Sequence, residues 1–400
     1  MKKLKAGVIG LGRRGTNLTN HIVAELERLE VTALCDLYQD RIDDCEALIK
    51  DKTSAKILKT TNADDVINSD EVDIVFIFAA WEAHIPYAIK AMRAGKPVAI
   101  EVAGAYSVQQ CWDLVHAYEE TKTPIYILEN CCFGKRELLI QNMVELGVFG
   151  KIVHCDGAYG HELRDEILNG IKNRHYRLRN YMSRNCENYP THELGPIAKI
   201  LKINRGNKFL TLNAVASKSV GLSEYVKEHM SDDEMLMNAE FAQGDVITTI
   251  IKCAGGQTIR LSLDTTLPRF YSRDFTIRGT KAMYEERTDS IFMDGNPTHY
   301  ERREAWKQEW GNAEAYREQY EHPIWKKYIE DGVKVDGHDG MDWLVISDFV
   351  DCIYEDRPCT LDVYDMASWM VITPLTEQSI AMGGAPVEVP DFTNGEWTVR

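Results

Sequence analysis

The 400-residue sequence has no C-x-x-C pair, no internal repeat, no low-complexity tract and no stretch approaching the ~18 apolar residues that span a bilayer. Each absence excludes something. The ten cysteines are scattered, and the adjacent Cys131 and Cys132 have no partner at zinc-ligand spacing, so they read as reduced, buried thiols. Basic charge is in short supply: 46 Lys+Arg against 62 Asp+Glu give a formal charge of −16. A general phosphate-backbone binder needs a cationic face, so neither nucleic acid nor a membrane is an expected partner. The opening MKKLKAGVIGLGRRG puts basic residues before an apolar run. That run is short, broken by glycine and followed by Arg13-Arg14 rather than by the small residues of a cleavage site. No export signal is read there, and a cytoplasmic location is the expectation.

What the chain does have is the composition of an ordinary globular protein, with 44% hydrophobic and 27% charged residues. At ~150 residues per domain its length implies two or three domains. The first third alternates. Apolar runs at Lys5–Gly10, Val31–Cys35, Val72–Phe78, Pro97–Glu101 and Pro124–Leu128 read as strands, separated by helical spacing from Gly15 to Glu27 and over Asp40–Lys50, Ile85–Ala94 and Val108–Thr121. Continuous apolar strands between helices predict a doubly wound parallel sheet over residues 1–130. After Gly150 the texture changes to longer strands without regular crossover helices (Lys151–Tyr159, Leu210–Val220, Asp245–Cys253, Gln257–Thr265, Asp274–Gly279), with one helix at Thr191–Lys202. This predicts an α+β domain over 131–400 with a large, mainly antiparallel open sheet. Such a sheet has one face to bury, and that face is expected to pack on helices or on a partner subunit of a homo-oligomer. The charged, aromatic stretch from 289 to 340 reads as a helical excursion, after which helices over Met341–Ile353 and Val363–Met382 return to the body.

Gly10-Leu-Gly12-Arg-Arg-Gly15 fits G-x-G-x-x-G. The spacing alone is weak, but here it follows a strand, opens a helix and precedes by 21 residues an acid, Asp36, at the end of the second strand. Gly10 allows the tight turn, Gly12 lets a pyrophosphate reach the backbone, and Gly15 permits close helix–strand packing. The helix N-terminus then presents unpaired N–H groups to the diphosphate. A carboxylate at Asp36 would accept the adenosine ribose hydroxyls and repel a 2′-phosphate, which favours NAD over NADP. Arg13 and Arg14 lie within the motif. Trp81, His84 and Glu101 follow the third and fourth strands, and Asn130 follows the fifth, at the edge where such sheets bind ligands. All six residues are grouped with the cofactor site, with packing as the alternative for Trp81 and His84.

With A-G-K-P-V-x-x-E at Ala94–Glu101, the amino-terminal part resembles the Gfo/Idh/MocA oxidoreductases, in which a Rossmann domain precedes an α/β domain built on an open sheet. The usual family pattern continues Glu-Lys-Pro; this chain has Glu101-Val102-Ala103, without the lysine. Further segments are more specific: Leu128-Glu-Asn-Cys-Cys-Phe-Gly134, Gly157-Ala-Tyr-Gly-His161, Tyr176-Arg177, Asn188-Tyr-Pro-Thr-His192-Glu-Leu-Gly-Pro196, Arg269-Phe-Tyr271 and Gly337-His338-Asp-Gly-Met-Asp342. Together they are similar to glycoside hydrolase family 109, whose known type is an NAD-using α-N-acetylgalactosaminidase. The resemblance places sugar contacts at Glu129, Arg177, Tyr189, His192 and Tyr271, and leaves Asp342 as a site residue or a helix cap.

The resemblance also implies a chemistry. The C2–H of a glycoside is too weak an acid to lose. Transient oxidation of the C3 hydroxyl makes it acidic, the C1 substituent is then eliminated, water adds, and tightly bound NAD, recycled in each turnover, is regenerated on re-reduction. His192 suits the base at the C3 hydroxyl, with Tyr189 sharing that hydrogen bond. Tyr159, His161 and Glu129 are candidates for the C2 base and the leaving-group acid. Hydride chemistry requires no metal, so none is expected. Net oxidation of a sugar is the alternative, and a non-catalytic NAD- or sugar-binding protein is the second alternative.

Overall fold

The computed structural model describes residues 3–295, 310–332 and 338–400. The chain divides into two compact units, Met1–Asn130 with Val333–Met370, and Cys131–Gly332 with Val371–Arg400.

Among the described residues of the first unit, six strands form one parallel sheet: β1 (Leu4–Ile9), β2 (Leu29–Cys35), β3 (Leu58–Thr60), β4 (Ile74–Ile77), β5 (Val98–Ile100) and β6 (Ile125–Ile127), in the order β3-β2-β1-β4-β5-β6. Residues of β4, β5 and β6 are buried without alternation, as in a sheet covered on both faces. Strand order reverses between β1 and β4, which opens a crevice at their carboxyl ends. β3 was not anticipated; it is a three-residue edge strand with two exposed side chains, so it carries no apolar signature. The helix after the glycine turn runs over Arg13–Leu18 and passes into a π-helical turn at Thr19–Val23 instead of continuing to Glu27. The Thr19 hydroxyl donates to the Gly15 carbonyl at 2.7 Å, a local competitor for backbone pairing.

The sequence reading gave all of 131–400 to the second domain; the structure gives 333–370 to the first. Packing is the reason. Helix Met341–Tyr354 sets Phe349 edge-on to Phe76 at 5.7 Å and 5.5 Å from Tyr126, whose hydroxyl donates to Asp348 at 2.5 Å. The expected helix Val363–Met382 is two helices, Val363–Met370 and Ile372–Ala381. Pro374 has no N–H to offer the Met370 carbonyl, which accepts the Ala105 N–H at 2.9 Å instead.

The second unit holds an eight-stranded sheet: β7 (Ile152–Gly160), β8 (Phe209–Ala216), β9 (Val246–Cys253), β10 (Thr258–Asp264), β11 (Thr276–Gly279), β12 (Ala282–Glu285), β13 (Ser290–Met293) and β14 (Val387–Glu388), in the order β13-β12-β11-β7-β10-β9-β8-β14. Every pairing is antiparallel except β7 with β10. Alternation is clean. Ile247, Ile251, Cys253, Ile259, Leu261 and Leu263 point inward and are buried, while Ile250, Lys252 and Arg260 point outward and are exposed. Helix Thr191–Ile200 lies directly on β7. A Cβ at Gly157 would sit 2.9 Å from the Glu193 carbonyl oxygen and 3.1 Å from Ile197, so only glycine permits the approach. The stretch expected as a helical excursion begins as a strand, β13, and continues in short helical turns over Asn312–Tyr316, Arg317–Tyr320 and Pro323–Glu330. Its segments 296–309 and 333–337 lie outside the described residues. No helix among the described residues is long and apolar enough to cross a membrane.

Candidate active site

In the first unit the glycine turn follows β1 as the spacing predicts. Gly10 has φ +99°, and a Cβ there would lie 2.5 Å from the Phe78 carbonyl carbon. A Cβ at Gly15 would strike the Gly10 carbonyl oxygen and lie 3.0 Å from the Phe78 Cβ. A Cβ at Gly12 would meet only Arg41, at 3.7 Å, which leaves the backbone open on the side a pyrophosphate would approach. Asp36 closes the turn: Oδ2 accepts the Leu11 N–H at 2.7 Å and Oδ1 the Tyr38 N–H at 3.0 Å. A carboxylate has about four acceptor sites, so Asp36 keeps capacity for ribose hydroxyls. These residues fit a dinucleotide.

Arg13 is exposed at the helix start. Arg14 has a different setting. Its Nε donates to Glu101 at 3.0 Å, and its Nη1 and Nη2 donate to the two Asp342 oxygens at 2.6 and 2.7 Å. Asn130 Nδ2 and His338 Nδ1 reach the same carboxylate at 2.7 and 2.8 Å. Burial opposes the charge on Asp342, yet Arg14 and His338 outweigh it and hold the carboxyl well below its ordinary value. Asp342 is no helix cap, since Gly340 occupies that position; His338, Asp339 and Gly340 all have positive φ. Trp81 opens the helix Trp81–Arg93 and is buried. His84 is buried with Nε2 2.8 Å from the Ala79 carbonyl, and burial lowers its pKa, so the ring is neutral. Glu129 follows β6 and is fully buried.

In the second unit, four separate segments bring six expected residues into one chain of contacts. Tyr159 is near the end of β7 and His161 just past it. Tyr189 precedes the helix Thr191–Ile200, and His192 lies in its first turn. Arg177 begins the helix Arg177–Ser183, and Tyr271 lies between β10 and β11. The Tyr159 ring is 4.5 Å from Tyr189 and 5.7 Å from His192; Tyr189 meets His192 edge-on at 4.9 Å. Tyr159 Oη is 3.2 Å from His161 Nδ1, and His161 meets the half-exposed Tyr271 ring edge-on at 5.1 Å. The Arg177 guanidinium lies 5.1 Å over the Tyr189 ring, with Nε 2.9 Å from Glu166. Burial pushes the Tyr159 hydroxyl up to about 12, with Arg177 pulling part of the way back. Burial and then Arg177 lower the His161 pKa, so that ring is neutral at pH 7.

A family model described as the glycosyl hydrolase 109 C-terminal domain matches residues 133–399. The chain belongs to glycosyl hydrolase family 109. A second model, described as the oxidoreductase family NAD-binding Rossmann fold, matches residues 4–128. The first unit is accordingly an NAD-binding Rossmann domain. Relatives of this family 109 chain include a protein of Solibacter usitatus named for the same family, 35% identical over 403 residues, or 99% of this chain and 90% of that one. It is also 34% identical to an alpha-N-acetylgalactosaminidase of Tannerella forsythia, across 99% of this chain and 88% of that one. Among solved structures, it resembles levoglucosan dehydrogenase in complex with NADH and levoglucosan at a TM-score of 0.70 and 17% identity, covering 97% and 100% of the two chains. Myo-inositol 2-dehydrogenase from Lactobacillus plantarum gives a TM-score of 0.67 at 15% identity, with coverage of 97% and 100%. These likenesses establish the fold.

Two pairings in this family 109 chain escaped sequence reasoning. Glu166, which fixes Arg177, sits in a charged stretch with no distinguishing pattern. The carboxylate that holds Arg14 is Asp342, 328 residues away, and no spacing rule links the two. The position of the absent family lysine is filled by Val102, which is buried.

Proposed function

We propose that this chain is an NAD-dependent glycoside hydrolase acting on hexosides of the N-acetylhexosaminide class, such as the α-N-acetylgalactosaminides for which its relatives are named. One observation carries the reading: two histidines and two phenols are packed into a single cluster beside an arginine. Net dehydrogenation of a hydroxyl needs one proton acceptor. Elimination of a glycoside also needs a base at C2 and an acid at the leaving oxygen, and the cluster has groups for all three.

Bound NAD supplies reversible removal of a hydride, which no side chain can provide. Gly10, Gly12, Gly15 and Asp36 would hold it, with Arg13, Trp81 and His84 at the same edge and Arg14, Glu101 and Asn130 bracing the turn through Asp342. His192 takes the proton of the C3 hydroxyl, and Tyr189 shares the hydrogen bond to that oxygen. With C3 a carbonyl, loss of the C2 proton leaves an enolate, which side-chain bases can reach. His161, neutral at pH 7, is suited to accept that proton. Tyr159 keeps its proton until about pH 12 and so donates to a developing oxyanion. Arg177 keeps a fixed positive charge over the Tyr189 ring, and Tyr271 is a further sugar contact.

The test is incubation with an aryl N-acetylhexosaminide in D₂O. The expected outcome is aglycone release without net NADH, and deuterium at C2 of the product. Stoichiometric NADH would make the protein a sugar dehydrogenase, and no signal with any sugar would leave a binding protein. We also infer a homo-oligomer formed through the outward face of the eight-stranded sheet, where Val215, Ile250 and Phe292 are exposed. A monomer in sedimentation would remove that inference.

A further inference from the structure

Two carboxyl groups that the mechanism does not use lie behind the Tyr189–His192 segment. Glu187 and Glu193 are 0% and 1% exposed, one two residues before Tyr189 and the other directly after His192. Glu187 Oε1 accepts the Tyr189 N–H at 3.3 Å. The Glu187 backbone is pinned on both sides, its N–H to the Thr376 hydroxyl at 2.9 Å and its carbonyl to the Thr373 hydroxyl at 2.6 Å. Glu193 sits where its helix touches Gly157 of β7; its side chain lies beside that of Glu187, and both Glu193 oxygens and Glu187 Oε2 are buried without a hydrogen-bond donor among the described residues. Neither group forms an ion pair among the described residues.

Two buried carboxylates without a cation are prohibitively costly, and like charges in contact cannot both persist. The surroundings offer little relief. Around Glu193 stand the backbone N–H groups of Tyr159 and Ser262; around Glu187 stand the Tyr181 phenol and the Cys186 thiol, while Arg184 pairs with Glu377 at 2.6 Å. Burial raises both carboxyls above the ordinary 4.5, and Glu187 raises Glu193 further.

We infer that Glu187 and Glu193 share a proton at neutral pH, and that this acid–carboxylate bond is a positioning device that clamps residues 187–193 so that Tyr189 and His192 face the substrate together. Losing the proton to water leaves two carboxylates that repel each other across the clamp, and the segment opens. The inference rests on the reading of Tyr189 and His192 as the acting pair.

The experiment compares wild type, Glu193→Gln and Glu193→Ala. Glutamine keeps a donor toward Glu187 but cannot ionise, so Glu193→Gln should hold kcat within ~3-fold at pH 7 and lose the alkaline decline of kcat, with KM little changed. Glu193→Ala should lose ~10-fold or more of kcat, a loss the glutamine rescues. The proton itself is read in wild type by infrared spectroscopy, as a carboxylic acid carbonyl band that persists at pH 7, fades on raising the pH and is diminished in Glu193→Gln. Thermal unfolding gives a further readout. The folded state holds a proton that an unfolded carboxyl of ordinary value 4.5 releases, so stability falls as pH rises from 4.5 through the folded values, more steeply in wild type than in Glu193→Gln. Absence of the acid band at pH 7, or an identical alkaline limb in Glu193→Gln, overturns the inference. If no glycoside is turned over but the band is present, the proton-sharing pair stands and only its catalytic purpose falls with the proposed function.

Discussion

In the first unit the ligand-facing surface is backbone: a turn whose shape depends on Gly10 and Gly15, opened to a ligand at Gly12 and braced by one carboxylate. In the second unit it is side chains, delivered by a strand end, two helix starts and a loop, and held by ring contacts between 4.5 and 5.7 Å. A backbone site has few ways to be built, so its residues fall at fixed spacing. A side-chain site needs only that its members meet in space, and its spacing in the chain is free. The second kind depends on every contact that orients a ring.

The sharpest way to break this contrast is His192→Ala. Removing the proposed base should cut turnover by ~10²-fold or more while leaving NAD affinity and unfolding temperature nearly unchanged. Near-normal turnover in a steady-state assay would show that the side-chain cluster is not the acting site. Next comes Asp342→Asn, which tests whether the backbone turn leans on a distant side chain. Arg14 is about a third exposed and keeps Glu101 as a partner, so losing the Asp342 charge should lower stability by ~1 kcal/mol at pH 7. Asp342 has a depressed pKa, so its contribution is present above its ordinary 3.8 and is lost as pH falls below that value. Denaturant unfolding across pH 2–7 should therefore show a flatter acid limb in the variant. The smallest effect distinguishes two glycines of one motif. Gly12→Ala meets no protein atom closer than 3.7 Å, so the fold should be unaffected while NAD affinity, measured by calorimetry, falls ~10-fold. Gly15→Ala, which collides with the Gly10 carbonyl, should instead destabilise the unit itself.

The same contrast explains what could be read from the chain. The Rossmann order, the glycine turn and Asp36 follow from periodicity and a motif whose geometry is local. The alternation of β9 and β10 announced the second sheet for the same reason. β3 was invisible because an exposed edge strand has no apolar face to advertise. The π-turn at Thr19–Val23 adds a residue to one helical turn, a local change that apolar periodicity and propensity do not announce. The Tyr159–His192 cluster came from a family resemblance rather than from spacing. The Glu187–Glu193 pair stayed hidden because acidic residues six apart in sequence read as solvated charge until burial is known.

Helices Met341–Tyr354 and Val363–Met370 have a consequence for the order of synthesis. The ribosome releases residues 1–130 first, with all six strands of the parallel sheet, but Phe349 and Asp348, which cover Phe76 and Tyr126, emerge only after the segment 131–332 has been made. The first sheet therefore waits with part of its apolar surface open while nearly all of the second unit is translated. Completion of the nucleotide domain becomes one of the last events in folding rather than the first.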